Sequence, residues 1–424
     1  MFHGLKIWIL KMRIGISEGL IKVLLMKLCK YVFDVRNGEE HLLINLINGI
    51  AVIISNQNYV NLINGYREGI DQEVWDVLVQ KQFLVQNEDD ELNFPYGKYT
   101  AINMNITNIC NFSCHYCYFR ANNKEKEAMA VDADEFLKWV KVYVMPKQKD
   151  IFINYLGGEP LIESEKLIHI SRNMQKLVEN SSMRYFGEVT TNGYFLSPHL
   201  ARVLFSAGIR CIQITLDGNR EEHNRIRNCH GVNGTYDKII SNICACNAII
   251  PIIVRININK KTDVIAIYDL LKDLKAKGIE NIYFSAIEDN YLGDSDSAED
   301  NEYALSDAEA IDKYIKVWML QKSMGFRFIQ KIPSIVGNCI AKNPNGYTIN
   351  YDGKIYLCPS TCGISRFYID DLYNFKSKEK KSQIKKEDCK TCALYPVCMG
   401  GCDIIRSIGQ KEDACRKTYI SQIL

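Results

Sequence analysis

The sequence predicts an α/β fold built on a parallel sheet, curved or closed into a barrel, and two observations predict it. From about residue 100, apolar strand-like segments alternate with longer segments of helical spacing. On both sides of that alternation the pattern changes: short mixed elements precede it, and a tail rich in Cys, Gly and Lys follows it. The candidate strands are 101–107, 151–155, 187–191, 211–216, 252–258 and 282–286. The candidate helices between them are 133–144, 163–178, 198–207, 236–248 and 263–277. In such folds, active sites lie at the C-terminal ends of the strands, so motifs following a strand carry the most weight.

Before the barrel, residues 31–35 and 50–54 read as strands, with turn signals at Asn37-Gly38 and Asn48-Gly49. Residues 59–63 and 71–79 have helical spacing, and 81–85 leads into the acidic run 88–91, a candidate boundary. This is a small helix-plus-hairpin unit. Residues 1–28 are apolar but interrupted by Lys6, Lys11, Arg13, Lys22 and Lys27. A spanning helix needs about 20 mostly apolar residues, and a signal peptide needs a clean apolar core and a cleavage site. Neither fits, so no transmembrane segment is expected; a peripheral amphipathic helix or a start at Met26 stays open. After the barrel, the acidic stretch 288–302 reads as a solvated loop and 376–386 as a solvated basic surface.

Composition narrows the function. The chain of 424 residues is long enough for two to four domains, and a 47% hydrophobic share allows sizeable cores. A net charge of +2 provides no global field for nucleic acid or membrane. Sixteen cysteines in a long chain without a secretory signal point to cytoplasmic thiolates that bind metal rather than to disulfides.

Cys110, Cys114 and Cys117 follow the first barrel strand as C-x3-C-x2-C, with aromatic Tyr116 just before the last. Thiolates are the usual ligands of iron–sulfur clusters. Three of them leave one iron of a four-iron cluster without a protein ligand, and an open metal position suits a reactive site. The competing reading is a zinc site lacking a ligand, or three buried cysteines.

The spacing resembles the signature of the radical S-adenosylmethionine superfamily, and the resemblance continues through the barrel. Gly157, Gly158, Glu159 and Pro160 follow the second strand and are similar to the motif that binds the methionine amino group. A glycine pair admits close approach of a ligand, and a carboxylate suits an ammonium. Thr190-Thr191-Asn192-Gly193 follows the third strand, so Thr191 and Asn192 are placed near the ribose and sulfonium. Thr215 and Asp217 follow the fourth strand. In the stretch 223–227, Arg227 is the candidate for the methionine carboxylate. Thr215 stands where Ser is common, and Asn224 where Asp is common. The resemblance implies a partial (β/α)6 TIM-like barrel over residues 96–327. It also implies one-electron reduction of the sulfonium, and a 5′-deoxyadenosyl radical that takes a hydrogen atom from substrate.

The tail holds Cys339, Cys358, Cys389, Cys392, Cys398, Cys402 and Cys415, the middle four spaced C-x2-C-x5-C-x3-C, with Gly353 five residues before Cys358. A zinc ribbon also uses C-x2-C pairs, but seven thiolates exceed the four ligands of one zinc. The pattern resembles the SPASM extension of radical enzymes that modify peptides and proteins, here spanning 328–424. By that resemblance, two auxiliary clusters bring the total to three four-iron, four-sulfur clusters. Cys389, Cys392, Cys398 and Cys415 would hold the outer one, and Cys339, Cys358 and Cys402 the inner one. The fourth inner ligand is either Cys362 or none. Cys29, Cys211, Cys229, Cys244 and Cys246 are expected to be buried as small apolar residues. Asp352, Tyr347 and Asp403 lie near cluster cysteines, but the sequence singles out no catalytic acid or base.

Residues 1–95 contain the unit that resembles the winged-helix recognition domain of maturases of ribosomally made peptides. There a leader peptide would add a strand to the sheet edge. Residues 29–95 are more acidic than basic, which disfavours DNA. The expected function is therefore a peptide maturase installing an oxidative crosslink (thioether, carbon–carbon or ether) in a precursor peptide, with flavodoxin or ferredoxin as the one-electron reductant. The alternatives are an enzyme making formylglycine in sulfatases, and a non-catalytic iron–sulfur electron carrier.

Overall fold

The computed structural model describes residues 26–29, 31–45, 50–64, 66–85, 99–119, 128–227, 229, 231–287, 303–305, 307–326, 339–376, 389, 392, 395, 401–402 and 404. Most of residues 1–28, the turn signal Asn48-Gly49, the acidic runs 88–91 and 288–302, nearly all of the basic run 376–386, and Cys398, Asp403 and Cys415 lie outside them.

The first unit pairs β1 (Lys27–Leu28) with β5 (Leu84–Val85), and stacks β2 (Val32–Asn37), β3 (Glu40–Asn45) and β4 (Ile50–Ser55) into an antiparallel sheet. Gly38, at φ +64°, turns β2 into β3. The middle strand, β3, is an element that the sequence reading did not single out. Helices α1 (Asn56–Ile63) and α2 (Gln72–Gln80) start at Ser55 and Asp71, whose side chains accept backbone N–H bonds from Asn58 and Glu73. Leu43, Ile54, Leu62, Trp75, Leu78 and Phe83 form their shared core.

The barrel follows: β6 (Tyr99–Asn105), α3 (Ala133–Trp139), β7 (Asp150–Leu156), α4 (Ser164–Val178), β8 (Tyr185–Thr191), α5 (Pro198–Ser206) and β9 (Ile209–Leu216). Then come α6 (Arg220–Ile226), α7 (Tyr236–Cys246), β10 (Ile252–Ile258), α8 (Val264–Ala276) and β11 (Ile282–Ala286). All five contacts within the row β6 to β11 are parallel. Every expected strand and helix of the barrel is present, with ends shifted by a few residues. The helix expected over 133–144 is α-helical only to Trp139 and continues as a π-turn over Val140–Val144.

Beyond β11 comes α9 (Asp307–Ser323), which the sequence reading did not anticipate. The chain then adds β12 (Gly346–Ile349), β13 (Lys354–Tyr356) and β14 (Tyr368–Asp371) to the same sheet. Strand β12 runs parallel to β6, so the nine strands are ordered β11-β10-β9-β8-β7-β6-β12-β13-β14. The sheet curves without pairing its ends among the described residues, as a partial barrel does. On each central strand one set of alternate residues is fully buried under the helices: Ile151, Ile153 and Tyr155; Ile212 and Ile214; Val254 and Ile256. The other set faces the concave side and is largely polar: Asn154, Glu188, Gln213, Thr215, Arg255 and Asn257. Among the described residues no helix is long and apolar enough to cross a membrane.

Candidate active site

The cysteine loop leaves β6 at Asn105 and is fixed by backbone before any side chain acts. Gly158 N–H donates to Thr107 O (2.9 Å), and Glu159 N–H donates to Ile109 O (2.8 Å). A Cβ on Gly158 would lie 2.2 Å from Ile109 O, and one on Gly157, at φ +133°, would lie 2.6 Å from Thr107 O. This glycine pair permits close approach of its backbone to the segment leading into Cys110.

Glu159 is 1% exposed, and both oxygens of its carboxylate accept bonds from the chain. It accepts from Thr191 Oγ1 (2.5 Å), Asn192 N (2.8 Å) and Leu161 N (3.1 Å). Burial pushes its carboxyl up, and these three bonds oppose the push. The residue expected to meet an ammonium thus locks the loop after β8 to the loop after β7. Pro160 begins the turn that follows. Asn192 in turn donates to Asn111 Oδ1 at 2.8 Å, reaching into the cysteine loop itself.

A second buried constellation is built on Tyr116 of the cysteine loop. Tyr116 donates to Asp217 Oδ2 (2.5 Å), and its oxygen accepts from Arg227 Nη1 (3.1 Å) and Asn257 Nδ2 (2.8 Å). Arg227 Nη1 also lies 3.4 Å from Asp217 Oδ2, with side-chain exposures of 8% and 0%. Asp217 Oδ1 and Arg227 Nε are buried without a partner. Arg227, expected at a ligand carboxylate, is paired to Asp217 within the chain. Thr215 is buried at the end of β9. The Asn224 departure has a structural account: its Oδ1 accepts from Thr235 N and Tyr236 N at 2.8 and 3.0 Å, starting α7, a task that either an amide or a carboxylate oxygen performs. His223, also buried, sits between Asp217 N and Thr235 Oγ1 and is held neutral by burial, with Arg227 adding to the effect.

Burial raises the thiols of Cys110 and Cys114 to about 12, and each lies in the electrostatic field of the other loop cysteines. Arg227 opposes the shift at Cys114. As free groups both are thiols at neutral pH, and coordinated iron reverses that, because a ligating thiol is deprotonated outright. Among the described residues no three His, Cys or carboxylate side chains converge on one ion's position. A four-iron cube spreads its thiolates over separate corners, so the neighbourhood of three cysteines, with unpartnered polar atoms of Asp217 and Arg227 beside it, fits a cluster with an adjoining polar nucleotide.

In the tail, Cys339 and Cys402 lie in the field of Cys358, whose thiol is raised to about 12 by burial. Cys362 is fully buried in an apolar cluster with Phe119, Tyr351, Tyr356 and Ile364, its Sγ directed to Cys358 O at 3.8 Å. Cys389 and Cys392 are partly buried and joined by a backbone bond from Cys392 N to Cys389 O. Of the remaining cysteines Cys29 and Cys246 are buried as expected, whereas Cys211 and Cys229 are partly buried and Cys244 is exposed on α7. Tyr347 packs edge-on against Trp139 and accepts from Lys147 (2.6 Å). Asp352 is engaged by Asn350 and Lys354.

The residues missed by sequence reading are Asn257 and Arg255 on β10. Their signal was present: polar side chains at alternate positions of an otherwise apolar strand, IIVRINI.

Fold and site together define the class: a partial α/β barrel that presents a three-cysteine loop beyond its first strand and a buried polar cradle at the ends of the next strands. Residues 104–263 match the family model of the Radical SAM superfamily, so this part of the chain is a radical SAM domain. The family implies S-adenosylmethionine and a four-iron, four-sulfur cluster. Over 327 residues the chain is 24% identical to a cysteine-type anaerobic sulfatase-maturating enzyme of Clostridium novyi, covering 69% of this chain and 84% of that one. Over 189 residues it is 26% identical to an Fe-coproporphyrin III synthase of Methanosarcina barkeri, covering 43% of this chain and 44% of that one. Two solved structures share the fold. The anSMEcpe structure with bound AdoMet has a TM-score of 0.58 at 18% identity, covering 76% of this chain and 94% of that one. Streptococcus suis SuiB bound to precursor peptide SuiA has a TM-score of 0.51 at 15% identity, covering 93% and 99%.

Proposed function

We propose that the chain is a maturase of a ribosomally made precursor peptide, installing an oxidative crosslink between side chains. The observation that carries this reading is the unit of β2–β4, α1 and α2 placed before the barrel. Likeness to the peptide-bound SuiB structure extends over 93% of the chain. On this reading the domains are 1–95, 96–327 and 328–424, and a leader peptide adds a strand to the edge of the antiparallel sheet.

The bound nucleotide and cluster supply the radical chemistry. The chain's own residues position it. Glu159 ties two strand-end loops together, and the Tyr116–Asp217–Arg227 set fixes the cysteine loop against β9 and the segment after α6. The helices over the barrel keep water from the sheet. In the tail, Cys339, Cys358 and Cys402 would hold an inner auxiliary cluster and Cys389, Cys392, Cys398 and Cys415 an outer one, with Cys362 serving the apolar packing. In a net two-electron oxidation, one electron would leave the substrate with the hydrogen atom and the other would pass to these clusters, while the electron that activates the nucleotide would come from a flavodoxin or ferredoxin.

A second reading, formylglycine formation in a sulfatase, is favoured by the likeness to the Clostridium novyi relative. The test is anaerobic reconstitution with S-adenosylmethionine and dithionite, followed by mass spectrometry of two substrates. One is the short peptide encoded beside the gene; the other is a cysteine-containing sulfatase peptide. Loss of two hydrogens from the first supports the proposal. Conversion of cysteine to an aldehyde in the second, with the first unchanged, replaces it. Absence of 5′-deoxyadenosine with both removes both readings.

A further inference from the structure

The concave face of the sheet holds a cation that the cysteine loop and its cradle leave unpaired. Arg255 sits on β10, in register with Thr215 on β9 and Tyr283 on β11. Its neighbours Val254 and Ile256 are fully buried against the helices, so Arg255 faces the opposite, concave side. Every group that it bonds is neutral. Nε donates to Asn257 Oδ1 (2.9 Å), Nη2 donates to Ser285 Oγ (2.9 Å), and the Tyr283 hydroxyl lies within reach while donating to Gln213 Oε1 (2.5 Å). Among the described residues no carboxylate forms an ion pair with Arg255; Asp217 lies within its field but is already held by Arg227 and Tyr116.

An arginine partly withdrawn from water and lacking an anion is unfavourable, and its planar fork matches a carboxylate with two parallel bonds. Position separates the two arginines. Arg227 has Cys114 among its electrostatic neighbours, whereas those of Arg255 are Tyr116, Tyr118, Tyr283 and Tyr314. Arg227 thus lies beside the cluster loop, and Arg255 one step away, linked to it by hydrogen bonds through Asn257 and Tyr116.

We propose that Arg255, with the hydroxyl of Ser285, forms a carboxylate-binding subsite that positions an acidic residue of the peptide substrate inside the barrel. This rests on the reading of the chain as a peptide-modifying enzyme and adds a substrate feature to it: a carboxylate near the residue that is modified.

The test measures binding alone, so it is separable from turnover. The reconstituted holoenzyme, loaded with S-adenosylmethionine, is dialysed to equilibrium against acetyl-Gly-Glu-Gly-amide, acetyl-Gly-Gln-Gly-amide and acetyl-Gly-Gln-Gly with a free C-terminal carboxylate. The Glu peptide is expected to bind about tenfold more tightly than the Gln amide. Arg255→Gln is expected to erase that preference and Arg255→Lys to retain part of it, since a point charge keeps attraction but loses the fork. A stronger gain for the free C-terminus than for Glu would assign the subsite to a chain end rather than to an acidic side chain, overturning that part of the proposal. Equal binding of all three peptides overturns it entirely. So does a preference that survives Arg255→Gln, or a loss of S-adenosylmethionine affinity in Arg255→Lys, which would give the guanidinium to the cofactor. If Arg255→Gln fails to retain iron, the Lys variant decides by the same criteria.

Discussion

Tyr116 and Asp217, 101 residues apart in the chain, are joined by a 2.5 Å hydrogen bond that ties the cysteine loop to the end of β9. The phenolic oxygen is saturated: it donates to Asp217 and accepts from Arg227 and Asn257. One hydroxyl thus connects the loop after β6, the end of β9, the segment after α6 and strand β10.

Removing that hydroxyl leaves three buried polar groups each short of a partner. Tyr116→Phe is expected to lower the stability of the anaerobic protein by about 1–3 kcal/mol. Denaturant titration followed by circular dichroism measures it, and a loss below a few tenths would contradict the network.

Asp217 and Arg227 are each more than nine-tenths buried, so breaking the pair from one side strands a charge. Asp217→Asn is expected to cost about 3–5 kcal/mol. The double variant Asp217→Asn, Arg227→Met should be less damaging than the sum of the single changes. A coupling energy near zero in this double-mutant cycle would show that the two residues act independently.

Gly158→Ala drives a Cβ into Ile109 O, at 2.2 Å. The far-ultraviolet spectrum should remain close to wild type while the cysteine loop shifts. A displacement of about 1 Å at a reacting centre can cost about 10²-fold in rate, so 5′-deoxyadenosine formation should fall by about that factor. Iron content and product chromatography provide the check.

Glu222, 8% exposed, has an Oε2 without a partner, and burial raises its carboxyl from 4.5 to about 7. Arg225 opposes the rise, and Asp217 and Asp263 add to it. A raised acid favours the folded state fully below its unfolded value, and that contribution is lost as pH climbs from 4.5 through about 7. The contribution changes by at most about 1.4 kcal/mol per pH unit. Glu222→Gln should flatten the stability profile over this window, and an unchanged slope would contradict the assignment.

If Cys362 packs rather than ligates, Cys362→Ala should leave iron content and the electron paramagnetic resonance spectrum of the reduced protein unaltered. The stability cost should be near 1 kcal/mol. Loss of about four irons per chain would make it a ligand.

Much of this architecture was legible in the chain alone. Six strands alternating with helices had distinct period-2 and period-3.6 patterns, whereas the short helix α6, capped by Asn219, was not read from the sequence. Strand β3 was harder, because EHLLIN is short and its polar ends hide the alternation. Helix α9 followed an acidic stretch that masked its start. Strands β12 to β14 were illegible as part of the barrel sheet, because parallel pairing of Gly346–Ile349 with Ala101–Met104 joins segments about 245 residues apart.

The sequence by itself determined which residue types stand at or beyond the strand ends: three cysteines, two glycines, one glutamate and, after α6, one arginine at fixed spacings, and these indicated the chemistry. Tertiary structure decided what each of them touches. Glu159 turned inward to Thr191 and Asn192, the glycines met Thr107 and Ile109, and Arg227 met Asp217. The reason is physical: spacing along a strand fixes which face a side chain takes, but the partner of a buried charge is chosen by whichever polar group folding brings within about 3 Å of it.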